Sequence, residues 1–277
     1  MAQSARERAA HIALLQGVAV LCNFVKGRQL MKVALFIPCY VDAFFPEVGI
    51  ATLELLERLG CEVHYPLDQT CCGQPMANSG CHADAAETEA LFVRNFAGFD
   101  PIVTPSGSCT HHVRDGLTAI EQTPEVRQVR ERTHELVEFI HDVLQVREFP
   151  WAEFAHKVGL HIGCSTLRAL REASTSEIVE PAFNKPARLL SAVKGLEFVP
   201  LQRPDECCGF GGTFSVFEEP VSAKMGQDKV NDHHQAGAEY VVTPDMSCAM
   251  HQRGCAQRLG LPLKYLHIAQ VLNGARE

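Results

Sequence analysis

The stretch MKVALFIPCY, residues 31–40, decides the fold, because nearly the same pattern returns as KVGLHIGCS at residues 157–165. Each is a short apolar run that ends in a cysteine, Cys39 in the first and Cys164 in the second. Short apolar runs of this kind are typical of buried β-strands. The recurrence predicts that the chain is an internal duplication.

The elements that follow recur in the same order. PEVGIATLELLERLG (46–60) predicts a helix that ends at a glycine before the strand CEVHYP (61–66). In the second half PARLLSAVKG (186–195) likewise precedes LEFVPL (196–201). A third strand is predicted from DPIVTPSGSC (100–109) and its counterpart EYVVTPDMSC (239–248). This alternation predicts an α/β fold of two Rossmann-like βαβ halves, each with a parallel sheet and a cysteine site at the carboxyl ends of its strands.

The repeat predicts a division of the chain into three parts. Residues 1–30 form an extension, disordered or helical, whose apolar stretch is too short to span a bilayer. Residues 31–150 form the first cysteine-rich repeat, and residues 151–277 form the second. The boundary falls in REFPWAEFAHK (147–157), where Pro150 ends a helix predicted from THELVEFIHDVL (133–144).

Composition narrows the class of function. The 277 residues carry a net charge of −8 and no run rich in Lys or Arg, which argues against nucleic acid or stable membrane insertion. Twelve cysteines in a chain long enough to bury its own core indicate metal or redox chemistry rather than a disulfide framework. We therefore expect a cytoplasmic protein.

Eight of the twelve cysteines follow the repeat. Each half has one cysteine after its first strand, then a Cys-Cys-Gly triplet, then a cysteine after its third strand; 31 and 35 residues separate these parts in the first half, and 42 and 38 in the second. The eight are Cys39, Cys71, Cys72, Cys109, Cys164, Cys207, Cys208 and Cys248. The other four, to which we assign no role, are Cys22, Cys61, Cys81 and Cys255.

Thiolates are soft, strongly donating ligands that hold iron-sulfur clusters. Four in each half suffice for one cluster, which we predict to be of the 4Fe-4S type. Adjacent cysteines on an extended strand point to opposite faces, so the glycine must permit a sharp turn. The glycines that we predict to form these turns, or to let backbone N–H groups approach a cluster, are Gly73, Gly209, Gly211 and Gly212.

With these residues in view, the chain resembles the Cys-Cys-Gly iron-sulfur family that includes a subunit of heterodisulfide reductase and the iron-sulfur subunit of glycolate oxidase. Four stretches are similar in particular to the lactate utilisation protein A subfamily: CYVDAFFPEVGIATLELLERLGCEVHYPLDQTCCGQPMANSG (39–80), TPSGSC (104–109), CCGFGGTFSV (207–216) and LKYLHIAQVLN (263–273). The resemblance implies a cytoplasmic subunit that acts with a ferredoxin-type iron-sulfur subunit and a third subunit. Its implied substrate is a small hydroxy acid, L-lactate, which is oxidised to pyruvate.

One departure from that family concerns the end of each motif. The broad family pattern ends in Cys-x-x-Cys, whereas His112 follows Cys109 here and His251 follows Cys248. Each half therefore has one thiolate fewer than the five-cysteine cluster that the full pattern implies. An ordinary four-cysteine cluster and a mixed site with His112 or His251 as ligands stay open, and so does zinc in one half.

Three functions remain in competition. The first is an electron-transfer subunit of a lactate-oxidising dehydrogenase, with the eight cysteines as cluster ligands. No flavin or nicotinamide fingerprint is present, so the catalytic residues are unknown and the step at the hydroxy acid is expected to need a partner. The alternatives are a component of a heterodisulfide or thiol reductase, and a zinc-stabilised scaffold or redox sensor.

Overall fold

Eight short strands build the fold in residues 31–275, the part of the chain that the computed structural model describes; the predicted extension at residues 1–30 lies outside it. The strands of the first half are β1 (Met31–Leu35), β2 (Cys61–His64), β3 (Ile102–Thr104) and β4 (Thr133–Glu135). Those of the second half are β5 (Lys157–Leu160), β6 (Glu197–Phe198), β7 (Tyr240–Thr243) and β8 (Lys264–His267).

The two sheets have the same topology. Their strand orders are β2-β1-β3-β4 and β6-β5-β7-β8, and every pairing is parallel. Equivalent residues keep equivalent partners, since Ala34 lies opposite Ile102 and Gly159 lies opposite Val241. The predicted α/β duplication is confirmed. The central pair of strands is β1 and β3 in the first sheet and β5 and β7 in the second. The edge strands lie on opposite sides of this pair, so the connections leave it in opposite directions and its carboxyl ends border a crevice.

Helices connect the strands of each half. In the first half they are Cys39–Phe44, Pro46–Arg58, Gln74–Asn78, His82–Phe96, Gly107–His111, Pro124–Glu131 and Leu136–Glu138, with π-helical turns at His112–Gly116 and Phe139–Val143. In the second half they are Lys185–Leu190, Phe214–Phe217, Glu219–Gln235, Met246–Leu259 and Ile268–Leu272, with a π-helical turn at Ser165–Ala169. None of the described helices is long and apolar enough to cross a membrane.

The helix predicted from residues 133–144 is partly wrong. Its first three residues form β4, which pairs with β3 and places Thr104 opposite Glu135. The chain turns into a helix only after Glu135, whose Oε2 accepts hydrogen bonds from the N–H groups of Val137 and Glu138. Pairing with the sheet edge satisfies the backbone of the strand, and this tertiary contact outweighs the helical pattern.

The two halves pack against each other through a reciprocal exchange of helices. Ile268–Leu272, which follows the last strand of the second half, packs on Pro46–Arg58 of the first. Leu136–Glu138, which follows the last strand of the first half, packs on Lys185–Leu190 of the second. One hydrophobic cluster contains residues of both halves. The crevices of the two sheets are consequently held in a fixed mutual orientation.

The backbones of the two halves approach each other closely at Gly107. A Cβ atom built on this residue would lie 1.8 Å from Oγ1 of Thr166, which lies in the other half. We expect Gly107→Ala to lower the free energy of unfolding by about 1–3 kcal/mol, because the halves would have to separate locally. Chemical denaturation followed by circular dichroism measures this change.

Gly254→Ala is the matched control. Gly254 lies inside helix Met246–Leu259, and a methyl group placed on its Cα would have no heavy atom within 4 Å. Alanine is the better helix former, so this change should stabilise the protein by about 0.5–1 kcal/mol. Equal effects of the two substitutions would contradict the close approach at Gly107.

Candidate cysteine-lined metal site

All eight repeat cysteines open into one cavity between the two halves, with a volume of about 380 Å³. Its cysteines are Cys39, Cys71, Cys72, Cys109, Cys164, Cys207, Cys208 and Cys248. Each cysteine lies in the segment that follows a strand. Cys39 and Cys164 come after β1 and β5, the Cys-Cys-Gly triplets come after β2 and β6, and Cys109 and Cys248 come after β3 and β7. The cavity therefore lies at the carboxyl ends of both sheets.

In the first half the four sulfur atoms form two close pairs. Sγ of Cys39 lies 3.7 Å from Sγ of Cys71, and Sγ of Cys72 lies 3.5 Å from Sγ of Cys109. The backbone N–H of Gly73 donates to Sγ of Cys71 at 3.4 Å. Gly73 has a φ of +95°, a conformation that glycine adopts at little cost and that lets the two adjacent cysteines face the same cavity.

These contacts divide the thiols of the first half by acidity. The hydrogen bond from Cys39, together with one from Cys72 and the one from Gly73, lowers the pKa of Cys71 far below its ordinary value. The same bond to Cys71, with burial, raises the pKa of Cys39. The hydrogen bond to Cys109 raises the pKa of Cys72, which is fully buried. Without metal, the first half thus holds a thiolate that neighbouring thiols stabilise, and a metal ion would compete for the other protons.

The second half repeats the geometry of the turn. The N–H of Gly209 donates to Sγ of Cys207 at 3.4 Å, and Gly209 has a φ of +87°. Gly211 and Gly212, with φ values of +56° and +63°, continue the chain along the cavity wall. A hydrogen bond with Cys207 raises the pKa of Cys164.

His161 is a site residue that the sequence prediction missed. It directly follows β5 on the segment that leads to Cys164, and one of its ring nitrogens lies within 4.8 Å of Sγ of both Cys208 and Cys248. Burial lowers the pKa of His161 well below its ordinary value, so the ring is neutral. The signal was present in the sequence, as a histidine within an apolar strand three residues before a repeat cysteine.

His112 and His251 lie behind the cavity wall in equivalent places. Nε2 of His112 lies 3.8 Å from Oε1 of Glu89 on the second helix after the Cys-Cys-Gly turn, His82–Phe96, and burial lowers the pKa of His112 to about 4. Nε2 of His251 lies 3.2 Å from the carbonyl oxygen of Ser222 on the corresponding helix. Each ring thus contacts the second helix after the Cys-Cys-Gly turn of its half, and the role of both histidines as metal ligands stays a prediction.

The remaining cysteines and histidines are dispersed. Cys61 is buried in the hydrophobic core, Cys81 is exposed, and Sγ of Cys255 lies 3.9 Å from Nε2 of His251. Cys22 lies outside the described residues. None of the other described histidines has a predicted role, and only His111 of these lines the cavity: His64, His82, His111, His134, His141, His156, His233, His234 and His267.

Asp245 joins the two cysteine-bearing helices. Its Oδ2 accepts hydrogen bonds from Ser106 Oγ at 3.0 Å, from Ser108 N–H at 3.1 Å and from Ser108 Oγ at 2.7 Å. Its Oδ1 accepts from the N–H and hydroxyl of Ser247 at 3.0 and 2.5 Å. Asp245 caps the helix of Cys248 and binds the segment that leads to Cys109. This carboxylate fixes the spacing between the two sets of cysteines.

Two carboxyl groups are buried where the halves meet. Glu135 at the end of β4 and Glu172 beyond the π-helical turn of the second half are both fully buried. Burial raises the pKa of Glu135 to about 8. Burial and the neighbouring Glu135 raise the pKa of Glu172 as well. Glu135 is therefore protonated below about pH 8, and the pKa of Glu172 is shifted in the same direction.

This pair gives the stability a distinct pH dependence. Protonated Glu135 contributes stability that is fully present below its unfolded pKa of ~4.3 and is lost as the pH rises through about 8. Glu135→Gln keeps a neutral side chain at every pH, so we expect its free energy of unfolding relative to the native chain to rise by up to ~4 kcal/mol between pH 5 and pH 9. Denaturant midpoints at a series of pH values measure this, and parallel profiles would contradict it.

The cavity carries no strong positive charge. Within residues 31–275, no Lys or Arg is among the residues that line it, while Asp245 and the eight thiols are. A cavity that is rich in thiols, contains a carboxylate and has no Lys or Arg in its lining favours a cationic occupant that thiolates can bind. The converging sulfurs and the unpartnered ring of His161 accordingly fit a metal ion or an iron-sulfur cluster.

Comparison with known proteins finds one family that matches two separate stretches of the chain. The cysteine-rich domain family matches residues 33–114 and residues 158–253, which contain the eight cysteines. Lactate utilization protein A of Geobacillus thermodenitrificans (strain NG80-2) is 41% identical over 247 residues, which cover 88% of this chain and 99% of that protein. The protein of the same name from Exiguobacterium sp. (strain ATCC BAA-1283 / AT1b) is 43% identical over 248 residues, which cover 87% of this chain and 97% of that protein.

A solved structure supports the fold alone. The crystal structure of a hypothetical protein from Helicobacter pylori superimposes with a TM-score of 0.53 at 9% sequence identity. The match covers 90% of this chain and 50% of that chain. The sequence relatives support a more specific conclusion, because the alignments cover nearly the whole length of those proteins. The chain belongs to the cysteine-rich domain family and, within it, to the lactate utilization protein A family.

Proposed function

We propose that the chain is the iron-sulfur electron-transfer subunit of a complex that oxidises L-lactate to pyruvate. The observation that supports this most is the single cavity into which both sets of four cysteines open. The lactate assignment is supported by the relatives, which are named lactate utilization protein A. In this proposal the two sets of cysteines hold one cluster each, close enough for electrons to pass between them.

In this proposal the cysteines, the turn glycines and Asp245 each have a separate role. Four thiolates of each half would hold a cluster, which supplies reversible one-electron transfer when bound. The N–H groups of Gly73 and Gly209, which contact Cys71 and Cys207, would stabilise the negative charge on those sulfurs. Asp245 would keep the two sites at a fixed separation, since it binds both cysteine-bearing segments.

The electrostatics of the cavity favour electron transfer over direct catalysis on the hydroxy acid. A carboxylate substrate needs a cationic partner, and no Lys or Arg of the described residues lines the cavity. Thiolates and Asp245 would repel such an anion. We therefore infer that the hydroxy acid binds to a partner subunit and that only electrons reach this chain.

The rim of the cavity suits contact with a partner. Val216 lines it and is 75% exposed, and its neighbour Phe217 is 73% exposed. Across the rim, the ring of Tyr40 contacts that of Phe210, with 5.7 Å between centroids. Exposed apolar side chains at the mouth of a redox site are typical of surfaces that other proteins cover. We propose that the ferredoxin-type subunit docks here and that a third subunit completes the complex.

One observation favours a second function, that of a thiol-based redox sensor. The Sγ atoms of Cys39 and Cys71 lie 3.7 Å apart, and those of Cys72 and Cys109 lie 3.5 Å apart. Contacts this short would also allow reversible disulfides in a chain without metal. A heterodisulfide reductase component would need a sulfur-containing substrate in the same cavity.

Reduction by lactate tests the proposal. The chain, purified without oxygen and mixed with the two partner subunits, should lose its visible cluster absorption when L-lactate is added. L-lactate added to the chain alone should produce no measurable heat of binding, because the hydroxy acid is expected to bind to a partner subunit. Cys81→Ser, at an exposed position, should behave like the native chain. A chain that contains iron and sulfide but keeps its absorption in the full mixture would contradict a role in this electron transfer.

A further inference from the structure

His161 is completely buried and has no hydrogen-bond partner for either ring nitrogen. Its backbone continues β5, because its N–H donates to the carbonyl oxygen of Val242 at 2.9 Å. Only the side chain is unsatisfied. Leaving a buried polar group without a partner costs ~1–3 kcal/mol, so the ring requires an explanation.

The neighbouring polar side chains do not supply a partner. The ring of His233 lies 6.4 Å away between centroids, and its nitrogens also lack hydrogen bonds. The ammonium group of Lys229 instead donates to the carbonyl oxygen of Arg203 at 2.6 Å. Within the described part of the chain, the ring of His161 forms a group of three metal-ligand atoms with the thiols of Cys208 and Cys248 in the second site.

The position of His161 suits a shared metal. Its nearest ring nitrogen, Sγ of Cys208 and Sγ of Cys248 all lie within 4.8 Å of one another. With metal–nitrogen and metal–sulfur bonds of ~2.0 to 2.3 Å, two ligands of one ion lie at most ~4.6 Å apart. Shifts of a few tenths of an ångström would bring all three atoms to one metal.

The equivalent position in the first half has no such donor. Phe36 lies three residues before Cys39, as His161 lies three residues before Cys164. The ring of Phe36 packs edge-on against Phe92, with 4.9 Å between centroids, and both rings are buried. The duplicated sites therefore differ at one buried position, where an aromatic hydrocarbon in the first half corresponds to an imidazole in the second.

We propose that His161 is a protein ligand of the metal in the second cysteine site and that this site is chemically distinct from the first. The proposal rests on the proposed metal-binding function of the eight cysteines, and it adds a donor that the cysteine repeat does not contain. A neutral imidazole donates less negative charge than a thiolate. If the metal is iron, the second site then has the higher reduction potential and is the electron acceptor of the pair.

The test isolates the second site in the full-length chain. Cys72→Ser removes a thiolate from the first half, so the metal that remains belongs to the second. If that metal is iron, pulsed electron paramagnetic resonance of the reduced chain should show coupling to a directly bound nitrogen. If it is zinc, X-ray absorption should show one nitrogen ligand beside sulfur. Either result supports ligation by a histidine, and the variants below identify which one.

His161→Phe in this background should abolish the nitrogen signal, and Phe36 shows that the equivalent place in the fold accepts phenylalanine. His161→Cys should retain the metal in the second site and show no nitrogen signal. His233→Gln and His251→Gln should keep the nitrogen signal in full. Metal in the second site without any nitrogen signal, or a signal that disappears only in a His233 or His251 variant, would overturn the proposal while leaving metal binding intact. A second site without metal would overturn both.

Discussion

Replacing Cys72 and Cys208 together with serine should remove nearly all of the bound metal, and each single replacement should remove about half, since each half is expected to hold one cluster. Both side chains are buried, and each is the second cysteine of its triplet. Cys72 contacts Sγ of Cys109 at 3.5 Å. Serine has nearly the same shape, so the change removes the soft thiolate and little else. Metal analysis and the visible spectrum of anaerobically purified chains measure the loss.

Two cysteines outside the repeat are the controls for that experiment. Cys81 is exposed, and Cys61 is buried in the hydrophobic core next to β1. Cys81→Ser and Cys61→Ala should each retain the metal content of the native chain. Loss of metal in either control, with the native amount in Cys72→Ser and Cys208→Ser, would refute the assignment of the eight ligands.

Asp245→Asn should be the most destabilising conservative substitution at the cavity. The carboxylate accepts five hydrogen bonds, three from the first half and two from its own helix. An amide has one acceptor oxygen and turns its NH₂ group toward donors, so several buried donors lose their partner. We expect the free energy of unfolding to fall by about 2–4 kcal/mol. Denaturant unfolding of the metal-free chain measures this without interference from cluster loss.

Asp228→Asn is the control for charge removal. Asp228 forms an ion pair with Lys224 on the surface of the helix Glu219–Gln235. Exposed pairs of this kind contribute at most about 1 kcal/mol, so the midpoint should change little. If Asp245→Asn were no more destabilising than Asp228→Asn, the link between the two cysteine-bearing helices would be without energetic consequence.

The repeat predicted the fold because each strand–helix unit carries its own local signal. The apolar runs that end at Cys39 and Cys164 became β1 and β5, and the V-T-P strings became β3 and β7. Parallel strands then bring their carboxyl ends to one edge, which explains why cysteines far apart in the sequence share one cavity. How the two edges face each other depends on packing between the halves, which no local pattern encodes.

The features that the sequence did not predict depend on tertiary contacts. β4 has only three residues and exists because β3 offers an edge to pair with. His161 became a candidate ligand because Cys208 and Cys248 approach it from other strands. The sequence shows Asp245 as a difference between the two repeats, since TPDMSC in the second half corresponds to TPSGSC in the first. It does not show that Asp245 accepts a hydrogen bond from Ser108 in the other half. Pairing residues across a pseudo-symmetric interface requires the structure.

The most direct test of the central claim, that the eight cysteines of one cavity hold two redox-active clusters, is the content of iron, acid-labile sulfide and zinc per chain. The protein should be purified without oxygen, and its spectrum recorded before and after reduction. We expect about eight irons with matching sulfide and a visible absorption that reduction bleaches, as two 4Fe-4S clusters require. Zinc in both sites without sulfide, or a chain free of metal with its thiols paired as disulfides, would contradict the claim.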